Sequence, residues 1–268
     1  MSPASAAATA DALARLYDVD LLDDPGDLDL WLALAARTDR PVLELATGSG
    51  RIAVPLAAAG HEVAGVDRDA AMLARAAGRV AGAPPDVRRR LSLVEGDARS
   101  IRLPEAGRFG LAFIALNSLL QIGGRDDQAA AVATLAAHLA PDGLAAIDVW
   151  LPDADELVRY DGRLTLEYRR EDPETGRLVT KSASARYDAA TATVRLATIW
   201  DEGHQGEPPV RWTSETSLRL VTADELVRLA EAAGLEVELL AGGYDLEPFG
   251  PGTDRAILLA RRPVRRPV

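Results

Sequence analysis

From Val42 onward, short and nearly unbroken apolar runs alternate with alanine-rich stretches of helical periodicity. The runs cover residues 42–45, 63–66, 91–94, 111–116 and 144–149, with breaks at Gly60, Pro84-Pro85 and Pro141-Asp142-Gly143. A strand apolar on both faces must be covered on both, so the pattern predicts a parallel sheet sandwiched between helices, in five β-α repeats. Right-handed crossovers wind such a sheet doubly and gather the loops that follow its strands on one edge.

The flanking segments read differently. An alanine-rich helix runs to about Leu16 and Tyr17, and an acidic turn over 23–27 leads to a second helix with Leu28, Trp31, Leu32 and Ala35 on one face. Asp27 is placed to cap that helix. From about 162 to 220 the chain turns to alternating strands rich in Thr, Val, Arg and Tyr, with turn residues at 172–176 and 188–191. This predicts an antiparallel insertion folded as hairpins. Thr222 and Glu225 then form a capping box for a helix carrying Leu226 and Leu229 and stopped by Gly234. Strands over 235–240 and 256–260 follow, and the closing arginine- and proline-rich stretch, 261–268, reads as a solvated tail. The expected organisation is a helical cap (1–40), an α/β core (41–160 with 221–262) and an antiparallel insertion (161–220) that covers a substrate or makes a dimer contact.

Charge and composition narrow the partners. At 268 residues with 48% hydrophobic positions, the chain can bury a sizeable core. Its net charge of −11 repels phosphate backbones, so no nucleic-acid partner is expected. No apolar run nears the roughly 20 residues that span a bilayer, and the first residues lack the make-up of a secretory signal, so a cytoplasmic protein without a membrane partner is expected. Cysteine is absent, and His61, His138 and His204 are the only imidazoles. Disulfides, thiol nucleophiles and thiolate metal sites are therefore excluded, and no metal is expected. Interaction with the helix dipole is the expected role of His138, near a helix end.

The densest local signal is residues 42–51, VLELATGSGR, an apolar strand running through a small, glycine-rich turn into a helix. Gly48 and Gly50 let backbone approach a ligand closely and can take positive φ. A tight connection without ligand reads the same pair equally well. Asp67 ends the next strand, about 17 residues after Gly50, near the spacing at which a carboxylate takes ribose hydroxyls; a helix cap is its plain alternative. Asp97 follows the third strand, where a side chain could accept from an exocyclic adenine amine. Three acids leaving successive strands toward one edge describe a nucleoside pocket.

The runs ELATGSGRIAVPLA, GVDRDAAMLARA, VEGDAR, FIALNSLLQI and LAPDGLAAIDVW resemble, in order, the motifs of class I S-adenosylmethionine-dependent methyltransferases. The ending, LEVELLAGGYDLEPFGPGTDRAILLARR, looks like that of a group of small bacterial methyltransferases with an antiparallel insertion, related to sugar N-methyltransferases. The resemblance implies a doubly wound, Rossmann-like, mostly parallel seven-stranded sheet with an antiparallel last strand, plus the antiparallel β insertion. It implies S-adenosylmethionine as cofactor and transfer of its methyl group to a small-molecule acceptor, at nitrogen or oxygen. Glu44 and the backbone of Ala46, Gly48 and Gly50 would hold the methionine end. Asp67 would hold the ribose, Arg68 and Met72 the adenine face, Asp97 and Ala98 the adenine edge. Leu116, Asn117 and Gln121 would line the cleft beside the sulfonium. Ala46 and Thr47 depart from the glycine and cysteine common in that turn, and Asp142 splits the usual Pro-Gly.

Methyl transfer is an in-line displacement whose rate comes from alignment and from desolvating or deprotonating the acceptor. Tyr17, Asn117 and Tyr244 are the candidates to orient it. Two other readings stay open: a nicotinamide-dependent oxidoreductase, since Gly48, Gly50 and Ala53 satisfy a dinucleotide turn, and a non-catalytic protein that dimerises through the insertion. Against the first stands Glu44, a carboxylate that a pyrophosphate would repel and an ammonium would pair. A homodimer is compatible with either.

Overall fold

The structure, a computed structural model, describes residues 3–264 except residue 205. The expected tail therefore lies outside the described residues from 265 on. The chain divides into two compact units, one built on Asp24–Pro152 and the residues from Val221, the other on the residues up to Asp23 and Asp153–Leu220.

The larger unit holds a seven-stranded sheet. Its strands are β1 (Val42–Leu45), β2 (Val63–Asp67), β3 (Leu91–Glu95), β4 (Phe109–Ile114), β5 (Leu139–Trp150), β10 (Glu236–Ala241) and β11 (Arg255–Arg261), in the order β10-β11-β5-β4-β1-β2-β3. β11 runs antiparallel to both neighbours, and the other pairings are parallel. Every residue of β1 and β4 is buried, as their unbroken apolar runs require. The helices are α2 (Leu28–Ala35), α3 (Ala53–Ala58), α4 (Ala70–Ala81), α5 (Pro85–Arg90), α6 (Arg125–His138) and α8 (Ala223–Ala232). On one face Trp31 of α2 stacks on Phe113 of β4 with centroids 4.5 Å apart, and both rings are fully buried. Truncating either to alanine would cost about 3–5 kcal/mol.

Three local expectations are corrected. Pro141-Asp142-Gly143 does not separate helix from strand: it bulges within β5, where Leu139 pairs with Phe109 and Leu144 with Leu111. Asp142 adopts φ +65° there, and its amide donates to the Arg262 carbonyl. Asp27 precedes α2 but makes no capping bond. Its carboxylate is buried and takes Arg51 through both oxygens (2.6 and 2.7 Å) and the Trp31 indole N–H (2.9 Å), and a charged partner is the stronger one. His138 is no charged partner of a dipole. Its buried Nε2 accepts from the Leu103 amide while Nδ1 faces the Thr134 carbonyl, which fixes one neutral tautomer.

The smaller unit is an antiparallel sheet, β6 (Asp161–Glu171), β7 (Leu178–Asp188), β8 (Thr193–Gly203) and β9 (Val210–Arg219), in sequential order, with α1 (Pro3–Asp20) and α7 (Ala154–Arg159). The turns form as their residues dictate: Asp172 receives the Glu174 amide and the Thr175 hydroxyl, and Asp188 receives the Ala190 amide and the Thr191 hydroxyl. Leu16 and Val19 of α1 pack against Val179 and Trp200. Buried Arg15 bridges Asp172 and Glu202, and Asp20 receives the Tyr168 hydroxyl and Lys181. These contacts group α1 with the antiparallel sheet, whereas α2 belongs to the seven-stranded one. The segment expected as one cap over 1–40 is thus shared between the units. No helix among the described residues is long and apolar enough to cross a membrane.

Candidate active site

In the larger unit, strand order reverses direction between β1 and β4, the place where open α/β sheets bind ligands beyond their carboxyl ends. The turn after β1 is left-handed at Ala46 (φ +60°), Gly48 (φ +56°) and Gly50 (φ +76°). Two of these are glycines, for which the conformation is free; at Ala46 it costs roughly 1–2 kcal/mol. A Cβ on Gly48 would meet nothing within 4 Å, so its backbone faces open space.

Asp67 ties this turn to the second strand. Its Oδ2 accepts from the Gly48 amide (2.7 Å) and its Oδ1 from the Asp69 amide (2.9 Å). Burial raises its carboxyl above the usual range in spite of those donors. Each oxygen keeps a lone pair for a further donor. Asp67 does not cap α4: Asp69 does, through the amides of Ala71 and Met72.

Glu44 departs most from expectation. It is buried within β1, accepts a 2.6 Å hydrogen bond from the Thr47 hydroxyl, and burial pushes its carboxyl up to about 8, against the pull of Thr47 and Arg51. The ligand-free side chain is thus mostly neutral at pH 7, and the expected repulsion of a pyrophosphate by a fixed charge does not hold. Thr47 owes its position to Gly65, where a Cβ would come within 2.9 Å of the Thr47 hydroxyl.

Asp97, two residues beyond β3, is half-exposed and gripped by Arg99, with Nε 3.0 Å from both carboxylate oxygens and Nη2 2.6 Å from Oδ2. The Arg99 guanidinium holds its carboxyl below the usual range. Arg99 also reaches Asp127 (2.8 Å), which receives the Gly124 amide at the start of α6. Ala98 is buried, Met72 half-buried, and Arg68 and Gln121 exposed.

Beyond β4, Leu116 (φ +47°) and Asn117 (φ +65°) form a second left-handed pair. Asn117 starts the 3-10 turn Ser118–Gln121, and its side-chain oxygen accepts from the Trp150 amide. The strain is held by Asp148, a fully buried acid of β5: its Oδ2 accepts from the Leu116 amide (3.0 Å) and its carbonyl from the Asn117 amide (3.2 Å). Asp148 also pairs with Arg255 (2.5 Å) and receives the Tyr244 hydroxyl (3.3 Å), while the Arg255 guanidinium lies 4.7 Å from the Tyr244 ring centroid. Burial raises the Asp148 carboxyl and the Tyr244 phenol. The charge of Asp27 is felt at Glu44, Asp148 and Tyr244, so these groups share one electrostatic neighbourhood.

The strand ends thus bring together Glu44, Ala46, Gly48 and Asp67 on one side, and Leu116, Asn117 and Tyr244 around Asp148 on the other. Tyr17 belongs to α1 of the smaller unit. Sequence reading missed Asp148, Arg255, Arg99 and the Asp27–Arg51 pair. One signal was available: Asp148 is the lone acid in the apolar run AAIDVW, and a buried strand does not carry a carboxylate without a partner.

Residues 42–143 match the family model described as a methyltransferase domain. Residues 42–143 are thus similar to methyltransferase domains, and the fold is one shared with solved methyltransferases. Among solved structures, this fold is similar to the CcbJ methyltransferase from Streptomyces caelestis (TM-score 0.75, 24% identity, 89% of this chain and 96% of that one). It is similar also to the sugar N-methyltransferase KedS8 from Streptoalloteichus (TM-score 0.72, 21% identity, 93% and 92%). A third is CalS10, an amino pentose methyltransferase from Micromonospora echinaspora solved with S-adenosylmethionine bound (TM-score 0.68, 23% identity, 92% and 96%). No curated protein matches the chain. The matched segment spans β1 to the bulge of β5, and so contains Glu44, the glycine turn, Asp67, Asp97 and Asn117. Asp148, Tyr244 and Arg255 lie after it.

Proposed function

We propose that this chain is an enzyme that transfers the methyl group of S-adenosylmethionine to the nitrogen or oxygen of a small molecule in the cytoplasm. The observation that supports it best is the bond between the Gly48 amide and Asp67, which joins the glycine turn and the second-strand acid into one open cradle. The donor set fits the cofactor: carboxyl groups and backbone for an ammonium and a ribose, with Arg51, the basic residue of the turn, held by Asp27. Glu44 would meet the methionine ammonium, with the backbone of Ala46, Gly48 and Gly50 around that end. Asp67 would take the ribose hydroxyls, Arg68 and Met72 the adenine face, Asp97 and Ala98 its edge, and Leu116, Asn117 and Gln121 the region of the sulfonium. When bound, the cofactor supplies an electrophilic methyl group.

The chain's own part is alignment. Tyr244 donates its hydroxyl proton to Asp148, and its oxygen keeps lone-pair capacity with which to orient a donor N–H or O–H of the acceptor. Asp148 and Trp150 hold the Leu116–Asn117 turn, which sets one wall. Asn117 and Tyr17 are the other residues proposed to serve the acceptor.

Calorimetry with S-adenosylmethionine and with its demethylated product tests the reading; micromolar binding of both is expected. Absence of heat with either, together with enhanced fluorescence of a reduced nicotinamide cofactor on mixing, would replace it with the oxidoreductase.

A further inference from the structure

Within the larger unit, the amino edge of the sheet holds a cavity of about 160 Å³. It lies where β1, β4 and β5 begin and antiparallel β11 ends, so the length of β1, about 13 Å, separates it from the glycine turn. Arg37, Thr38 and Arg40 reach it from the loop before β1, Gly110 from β4, Asp142 from the β5 bulge and Arg261 from the end of β11.

Three guanidiniums line one small space in a chain whose net charge is −11. Arg261 is already committed. Glu238 takes its Nε, the Asp142 carbonyl accepts from its Nη1 (2.8 Å), and the Asp142 carboxylate lies 3.7 Å away. Arg37 and Arg40 are exposed and, among the described residues, meet no carboxylate; the Arg40 guanidinium reaches only the Pro141 carbonyl, at 3.5 Å. Two positive charges thus stand unanswered at this lining.

The loop that carries them is fixed by its contacts. Thr38 Oγ1 accepts from the Arg40 amide (3.1 Å), and the Pro41 carbonyl accepts from the Gly110 amide (2.9 Å). A Cβ on Gly110 would come 2.0 Å from Thr38 Oγ1, so only glycine lets β4 lie this close to the loop. The Thr38 hydroxyl, an acceptor in its turn, keeps its proton to donate. Two open guanidinium forks and a hydroxyl around so small a space suit a tetrahedral dianion, whereas a carboxylate is satisfied by one fork.

We propose that this cavity binds a phosphate group, as the free ion or a small ester, through Arg37, Arg40 and Thr38. The site is independent of what the glycine turn binds. The plain alternative for Arg37, two residues past α2, is attraction to the carboxyl end of that helix, which needs no ligand.

Thermal unfolding of the full chain in a phosphate-free buffer, with ionic strength held constant by chloride, is the measurement. About 10 mM inorganic phosphate is expected to raise Tm by about 3 °C over chloride, as a dissociation constant of about 1 mM requires. Glycerol phosphate acting as well or better identifies an ester as the occupant, and acting less identifies the free ion. The double variant R37A/R40A removes the shift and leaves Tm in chloride within about 2 °C of wild type, since both side chains are exposed. R37K/R40K keeps the charges but loses the forks, and retains less than half of the shift. No shift beyond chloride, an equal shift with malonate, or more than half of the shift surviving in either double variant overturns the proposal.

Discussion

Titrating cofactor binding between pH 6 and 9 tests the role given to Glu44. In the ligand-free protein burial lifts its carboxyl to about 8, so about nine-tenths of the molecules carry a proton there at pH 7. An ammonium set against that carboxylate returns it toward the ordinary carboxylate range. Binding at pH 7 then releases about 0.9 proton from this residue, and below pH 8 each unit of acid weakens affinity by about tenfold, with a plateau above. Calorimetry in buffers of different ionisation enthalpy counts the protons. The ligand's own amine titrates nearby, so Glu44→Gln supplies the baseline and the difference between the two proteins is the prediction. Equal proton counts in both, with parallel pH profiles of affinity, would show that Glu44 keeps its proton in the complex and refute the pairing with the ammonium.

Without ligand the same group makes stability fall with pH. A carboxyl raised in the folded state binds its proton more tightly there than in the unfolded chain, so its contribution is complete below about 4.5 and lost as pH rises through about 8, on the order of 5 kcal/mol in all. Urea unfolding at pH 5 and 8 should show a steeper loss for wild type than for Glu44→Gln. Asp148→Ala is expected to cost about 3–5 kcal/mol by stranding Arg255, and adding Arg255→Met should recover much of it; a single variant within 1 kcal/mol of wild type would contradict the account of that pair. Gly65→Ala should destabilise by about 1–3 kcal/mol in the same assay through its clash with Thr47, with partial rescue by Thr47→Ala. Tyr244→Phe should keep product-cofactor affinity within about twofold, while turnover of an acceptor falls by roughly tenfold or more.

The apolar periodicity of the chain carried the two architectures, and the observed strands differ from expectation mainly at their ends. β4 begins at Phe109 and β5 at Leu139, because pairing with neighbours extends a strand past its apolar run. The turns at Asp172 and Asp188 and the cap at Thr222 were legible because each is made by residues within four positions of one another. The glycine turn and Asp67 were legible for a related reason: a strand end and the loop that follows it place their own side chains.

What sequence determined about this protein is therefore local: which segments pair as covered or half-covered strands, which loops share an edge, and which backbone positions can turn left-handed. Tertiary structure alone decided what the charged groups do. Asp148 meets Arg255 across 107 residues, Asp27 leaves its helix for Arg51, and Glu44 gives up its charge inside β1. The free energy of a charge is set by the dielectric around it and by the partner within a few ångströms, and neither is a property of neighbours along the chain.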